Sequence, residues 1–247
     1  MKASAIEFRL RMVIIAVLVT LGYWAPWIEG WGIGRRTPLL EGLALELSRL
    51  GLLPFAAAVP VVLVLAAIIA AKAVVLRVWG TACLGTFTVS HGQMKAEAIV
   101  ADGPYRLVRN PLYLGTWCMV AAMAFLMPVS GALFAVVLIT VFQARLILAE
   151  EAFLTARLGE PYLAYQRAVP RLFPHLHTRL PYTGRKPHWL RAVLAELCPI
   201  GVFITLACLS WSYNNSLMVR AIIVSFGLSL VARALLPENM QQPTLPE

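Results

Sequence analysis

The stretch PFAAAVPVVLVLAAIIAAKAVVLRVW, Pro54 to Trp79, interrupts its apolar run with only Lys72 and Arg77 as charged side chains. A helix needs about 20 mostly apolar residues to cross a hydrocarbon core roughly 30 Å thick, so this segment can span with length left over for a tilt. Pro60 removes a backbone donor inside it and predicts a kink. Such a run has no place in a water-soluble domain. The fold it decides is a membrane helix bundle.

Working outward, Met12 to Ile28 reads as a first span, closed by Trp24 and Trp27 at the interface. A signal peptide is the competing reading, but Trp24-Ala25-Pro26-Trp27 is a poor cleavage site, which favours a retained helix. Leu112–Met127 and Gly131–Ala149 form a third and fourth span, joined only by Pro128-Val129-Ser130 and therefore antiparallel. The third is short, which leaves room for its start to sit below the membrane surface. Ala192–Tyr213 and Leu217–Leu236 complete the set, joined by Asn214-Asn215-Ser216. The expected fold is all-α: one polytopic bundle of about six transmembrane helices over residues 1–247. It divides into N-terminal helices (1–83), a core (84–174) and a basic connector with a final hairpin (175–247).

Composition agrees. Hydrophobic residues make up 60% of the chain and charged ones 13%, with mean hydropathy +0.76. Soluble domains carry about 25% charged residues. A soluble enzyme, a disordered tail and a secreted disulfide scaffold are all excluded on this ground. The 21 Lys and Arg against 12 Asp and Glu leave a formal charge of +9. With a cytoplasmic N-terminus and six crossings, every basic residue except Arg35, Arg36, Arg49 and Arg220 falls on the inner side. Both termini are then cytoplasmic, in a multi-pass protein of bacterial inner-membrane type. The basic run Arg179–Arg191 beside a membrane helix points to anionic lipid, with no nucleic-acid partner.

The densest polar cluster is Asp102-Gly103-Pro104-Tyr105-Arg106-Leu107-Val108-Arg109-Asn110-Pro111-Leu112-Tyr113-Leu114-Gly115. Gly103-Pro104 is a turn signal. Asn110 is a good helix N-cap and Pro111 a good first helical residue. Free amides of that first turn, beside Arg106 and Arg109, suit a carboxylate or phosphate. A second cluster follows the fourth span: Glu150-Glu151, Leu158-Gly159-Glu160-Pro161-Tyr162, Tyr165, and Val169-Pro170-Arg171-Leu172-Phe173-Pro174. Adjacent carboxylates at a membrane interface are expensive unless they find cations. The hairpin brings them to the same end as the arginines, where a ligand with one carboxylate and one ammonium would satisfy both clusters.

At these residues the sequence resembles the isoprenylcysteine carboxyl methyltransferase family and the related membrane phospholipid methyltransferases. The matching parts are Gly103-Pro104-Tyr105-Arg106, Arg109-Asn110-Pro111-Leu112-Tyr113-Leu114-Gly115, Glu150-Glu151, Gly159 with Tyr162 and Tyr165, and Pro170, within about Leu84 to Pro174. The resemblance implies S-adenosylmethionine as methyl donor on the cytoplasmic side and a lipid-like acceptor entering from the bilayer. Under it, Arg106 and Arg109 take the donor's carboxylate, and Glu150 or Glu151 its ammonium or ribose. Tyr105, Tyr113 and Tyr162 wall the adenosine, with Gly103, Asn110 and Pro111 shaping the same pocket. Arg109 and Glu151 are the expected catalytic residues, Glu151 being the base candidate if the acceptor must lose a proton. Asn110 stands where the family usually has His, so no imidazole is available there to move a proton.

Two other functions compete. A membrane reductase of the sterol-reductase type would use a nicotinamide cofactor, but should carry an Arg-rich, Cys-containing run and Gly-x-x-Trp-x-x-Tyr in place of Glu150-Glu151 and Gly159-Glu160-Pro161-Tyr162. A non-enzymatic lipid-binding or transport protein could keep the fold. Several residues also have plain readings: Arg106 and Arg109 as lipid-phosphate anchors, Glu150-Glu151 as a helix end paired with Arg145 or Arg157, the tyrosines as interfacial packing. No metal is expected, since Cys83, Cys118, Cys198 and Cys208 lack ligand spacing and His175-x-His177 has no third partner. Glu196 is either a functional intramembrane carboxylate or one that snorkels to the surface. Ala66, Ala67, Ala70 and Ala71 read as a helix-packing face.

Overall fold

Helix accounts for nearly all of the backbone in the computed structural model, which describes residues 2–24, 37–84, 101–174, 187–209 and 214–235. In order they are α1 (Ala5–Arg9), α2 (Arg11–Tyr23), α3 (Leu39–Arg49), α4 (Phe55–Leu84), a 3-10 turn at Gly103–Arg106, α5 (Pro111–Ala124) and α6 (Val129–Leu158). They continue with α7 (Glu160–Ala168), α8 (Trp189–Ala195), α9 (Leu197–Leu209) and α10 (Asn215–Leu235). Among the described residues, β pairing is limited to an isolated bridge between Pro38 and Pro128. His91, His175, His177, Arg179, the tail after residue 235 and the tryptophan expected to close the first span, Trp27, lie outside the described residues.

The expectation of an all-helical membrane protein holds, but six full crossings are not matched by helix length. Among the described residues α4, α6 and α10 are long and apolar enough to span, and α8 with α9 make a fourth if their 72° bend is one broken span. Helices α2 and α5 have 13 and 14 residues. At about 1.5 Å per residue each rises only about 20 Å, short of a hydrocarbon core of roughly 30 Å. The chain nevertheless reverses direction as the hairpin argument required. Trp117 Nε1 of α5 donates to Thr140 Oγ1 of α6 and Tyr113 Oη to Glu150 Oε2, so α5 and α6 run antiparallel. Ala3 N donates to Arg145 O and Gly22 meets Gly131, so α2 also runs antiparallel to α6.

Boundaries shift for physical reasons. Helix α2 ends at Tyr23 with Trp24 in the capping position, and Ile28 lies outside the described residues. Helix α4 continues to Leu84 and passes through Pro60 without interruption. Helix α6 continues past Ala149, because its carboxylates find partners inside the bundle (below), and stops at Gly159, whose φ of +64° favours glycine. The expected fifth span, Ala192–Tyr213, is broken at Glu196. Helix α3 was not expected. It starts behind Pro38 with Leu39 N and Leu40 N donating to Met127 O and Phe125 O, and it buries Leu40 and Ala44 against α4.

Small residues let the helices close up. Of the expected alanine face, Ala66 and Ala70 are fully buried in the core together with Ala73, while Ala67 and Ala71 are only half-buried. At Gly80 a Cβ would stand 2.9 Å from the Leu112 side chain, and Gly131 abuts the backbone of Gly22 where α2 crosses α6. Val202 and Leu206 of α9 with Met218 and Ile222 of α10 complete the core. Outward positions such as Val61, Val64, Leu65 and Ile68 stay apolar and exposed, as lipid-facing surface should.

Candidate functional site

Counted from Val129 at about 1.5 Å per residue, Glu150 and Glu151 stand roughly 32 Å along α6, at the edge of a hydrocarbon core. The start of α5 lies at the same end, because the turn between α5 and α6 is tight. Pro111 opens α5 with Asn110 in the capping position, as expected, but the Asn110 side chain does not cap the helix. Its Nδ2 donates instead to Glu151 Oε1 and to Arg171 O, both at 3.2 Å. A cap would use the amide oxygen as acceptor; here the NH2 end is engaged, because a buried carboxylate is a strong, charge-assisted acceptor.

Glu151 is the centre of the site. Arg171 grips it with Nε at 3.0 Å and Nη2 at 2.7 Å from Oε2, and Arg109 Nε stands 3.4 Å from Oε1. Both Glu151 and Arg109 side chains are nearly buried, 6% and 10% exposed, whereas Arg171 is 48% exposed. Arg109 also donates through Nη1 to Gln166 O at 3.2 Å, and its backbone N to Pro170 O at 2.8 Å. Its buried Nε makes no hydrogen bond. One residue earlier on α6, Glu150 Oε2 accepts from Tyr113 Oη at 2.8 Å. Phe8 of α1 packs with Phe142 and Leu146 beside Tyr113 and so backs that pair.

The two polar segments are stitched into one wall. Tyr165 Oη donates to Tyr105 O at 2.7 Å, and the rings of Tyr162 and Tyr165 lie 5.9 Å apart. Gly103 has φ +55°, and a Cβ there would sit 2.6 Å from Trp79 Nε1, so the 3-10 turn can lie against α4 only with glycine at its head. Burial pushes all three phenols up: Tyr105 and Tyr165 well above their ordinary value, Tyr162 to about 12, with Glu151 adding to the last. They stay protonated donors at neutral pH. The hydrogen bonds to Glu151 raise Arg171 and keep it charged.

Of the residues singled out from sequence, Arg109, Asn110, Glu151 and Tyr162 meet in one cluster, and Tyr113 with Glu150 forms its neighbour. Tyr105 lies buried behind Tyr165, while Arg106 ends the 3-10 turn half-buried. Arg171 and Tyr165 carried no assigned role in the sequence reading, although both sat inside the quoted cluster. The need of two membrane-edge carboxylates for cations was the signal that could have found Arg171. Glu150 and Glu151 lie within α6 and not after it.

This arrangement offers a charge-paired arginine with an unused buried donor, a second carboxylate and a set of protonated phenols. That set suits a ligand carrying a carboxylate, an ammonium and an aromatic or cationic body. Residues 61–160 match the family described as phospholipid methyltransferase. An 88-residue stretch is 36% identical to protein-S-isoprenylcysteine O-methyltransferase of Schizosaccharomyces pombe, covering 35% of this chain and 37% of that protein. The chain thus matches little more than a third of that relative's length. No solved structure matches the chain. The resemblance read from the clusters is borne out over residues 61–160, and the chain is a multi-pass membrane protein.

Proposed function

We propose that this chain is a membrane methyltransferase that moves a methyl group from S-adenosylmethionine to an amphipathic, lipid-like acceptor at the cytoplasmic membrane interface. One observation carries the reading: the family-matched helices α5 and α6 converge on paired Glu150 and Glu151, with Arg109 beside Glu151 at 3.4 Å. S-adenosylmethionine supplies, when bound, an electrophilic methyl on a sulfonium beside a carboxylate and an ammonium. Arg109, whose Nε has no hydrogen bond, and Arg106 hold the carboxylate. Glu150 takes the ammonium, and Tyr105, Tyr113 and Tyr162 wall the adenosine with Gly103 and Pro111 shaping the turn.

Glu151 has a different role from the base expected of it. Arg171 and Asn110 already engage its two oxygens, so it fixes Arg109 and orients the donor site. Methyl transfer needs alignment and exclusion of water more than proton transfer, which suits a site without histidine at Asn110. The acceptor is a carboxylate, amine or thiol on a lipid body, approaching from the apolar flanks of α5 and α6. The basic residues Arg9, Arg11, Arg77, Arg106, Arg109, Arg145 and Arg171 in the segments that meet at this end favour a cytoplasmic face under the positive-inside rule.

The test is ligand-dependent stability of detergent-purified protein, followed by transfer of labelled methyl into extracted lipids. S-adenosylhomocysteine should raise the melting midpoint. A reduced nicotinamide raising it instead, or neither ligand doing so, overturns the reading.

A further inference from the structure

Glu196, at the break between α8 and α9, is completely buried and does not snorkel. Arg77 of α4 forks onto it, Nε to Oε2 at 2.6 Å and Nη2 to Oε1 at 3.0 Å, and Thr81 Oγ1 donates to Oε1 at 2.8 Å. The remaining nitrogen of the same guanidinium turns to α5. Arg77 Nη1 donates to Thr116 Oγ1 at 2.5 Å and reaches Leu112 O at 3.5 Å, while Thr116 Oγ1 donates to Leu112 O at 2.9 Å. Gly115 makes room for this crossing, since a Cβ there would stand 2.6 Å from Arg77 Cγ.

Leu112 sits between Asn110 and Tyr113, the two side chains that hold Glu151 and Glu150. A buried ion pair is weak evidence for stability, because an apolar pair of similar volume often does as well or better. What apolar residues cannot reproduce is the three-way geometry, in which one carboxylate fixes one guanidinium and that guanidinium fixes the first turns of α5. Glu196 also lies outside residues 61–160, in a segment with no role so far.

We infer that Glu196 is a positioning residue: through Arg77 it sets the opening turns of α5, and with them the donor pocket around Glu150 and Glu151. The segment from α8 onward is thereby part of the working site and not an appended anchor. This inference rests on the methyltransferase reading above.

The experiment compares the full-length wild type with Arg77→Met/Glu196→Leu and with Thr116→Val, measuring S-adenosylhomocysteine affinity by calorimetry, the melting midpoint, and KM for donor and acceptor. The double variant should melt within a few degrees of wild type yet bind S-adenosylhomocysteine about tenfold more weakly, with donor KM rising and acceptor KM steady. Thr116→Val leaves the ion pair intact but removes the acceptor of Arg77 Nη1, and should weaken binding several-fold while the midpoint falls by no more than a few degrees. A folded double variant with wild-type affinity overturns the inference. If the double variant does not fold, unchanged affinity in Thr116→Val overturns it. A wild type that binds no S-adenosylhomocysteine sinks the methyltransferase reading and this inference with it, whereas normal binding throughout sinks the inference alone.

Discussion

Glu151→Gln keeps the size of the side chain and removes its charge, so the consequence can be worked from its partners. Arg171 is 48% exposed, and its pair with Glu151 is screened accordingly. Its loss contributes at most about 1 kcal/mol. Arg109 is only 10% exposed and loses its counter-charge, which approaches the case of a broken buried pair at about 3–5 kcal/mol. Two features reduce that: Arg109 Nη1 keeps its bond to Gln166 O, and the glutamine keeps an amide oxygen as acceptor. The expected sum is about 3 kcal/mol, or a midpoint lower by roughly 6–12 °C for a chain of this size. Thermal unfolding in detergent, followed by intrinsic fluorescence, measures it. Arg171→Gln alone should lose no more than about 2–4 °C, because its partner keeps Asn110 and Arg109. S-adenosylhomocysteine affinity of Glu151→Gln should fall about tenfold, equal to about 1.4 kcal/mol of misplaced Arg109. A midpoint within about 2 °C of wild type, with activity abolished, would refute the holding role and return Glu151 to the part of a base.

Other consequences test the fold around the site. Gly131→Val drives a branched side chain into the Gly22 backbone and should cost at least about 1–3 kcal/mol, seen as a lower midpoint. Gly42→Ala, in α3 with nothing within 4 Å of the added Cβ, should instead stabilise by about 0.5–1 kcal/mol; a loss would mean α3 is misplaced. Tyr165→Phe removes the 2.7 Å bond to Tyr105 O and leaves a buried carbonyl, at a cost of about 1–3 kcal/mol, with faster hydrogen exchange across the 3-10 turn. Tyr162 ionises at about 12 in the folded protein, against about 10 when unfolded. Folding therefore favours its neutral form. That contribution is complete below the unfolded value and is lost as pH rises from there through the folded one. The difference in alkaline phenolate absorbance between wild type and Tyr162→Phe should show this step, and a step near the unfolded value would contradict the burial.

Much of this was legible because membrane helices announce themselves by composition over a local window. The α5–α6 hairpin, Pro111 at the first helical position and the meeting of arginines with Glu150-Glu151 all follow from short-range rules: a breaker, a cap, a tight turn. What failed were boundaries and directions. Helix α6 was cut short because Glu150 and Glu151 read as polar termini, and only their partners allow them to remain helical. Helix α3 was missed because its capping comes from carbonyls of Phe125 and Met127, far along the chain.

By itself, the amino-acid sequence determined an all-helical membrane protein, the hairpin at its centre and the polar clusters at one end. Those features depend on how many apolar residues stand in a row and on which residues can start or stop a helix. Only the tertiary structure decided that Asn110 turns its amide to Glu151, that Arg171 and Arg109 pair with it, and that Glu196 reaches Arg77 across 119 residues of chain. The physical reason is that helices α4, α5 and α6 are apolar on nearly every face, so their patterns do not say which face meets which neighbour. Glycines at Gly22, Gly115 and Gly131 choose the crossings by close approach, and the crossings then choose the partners of every buried charge.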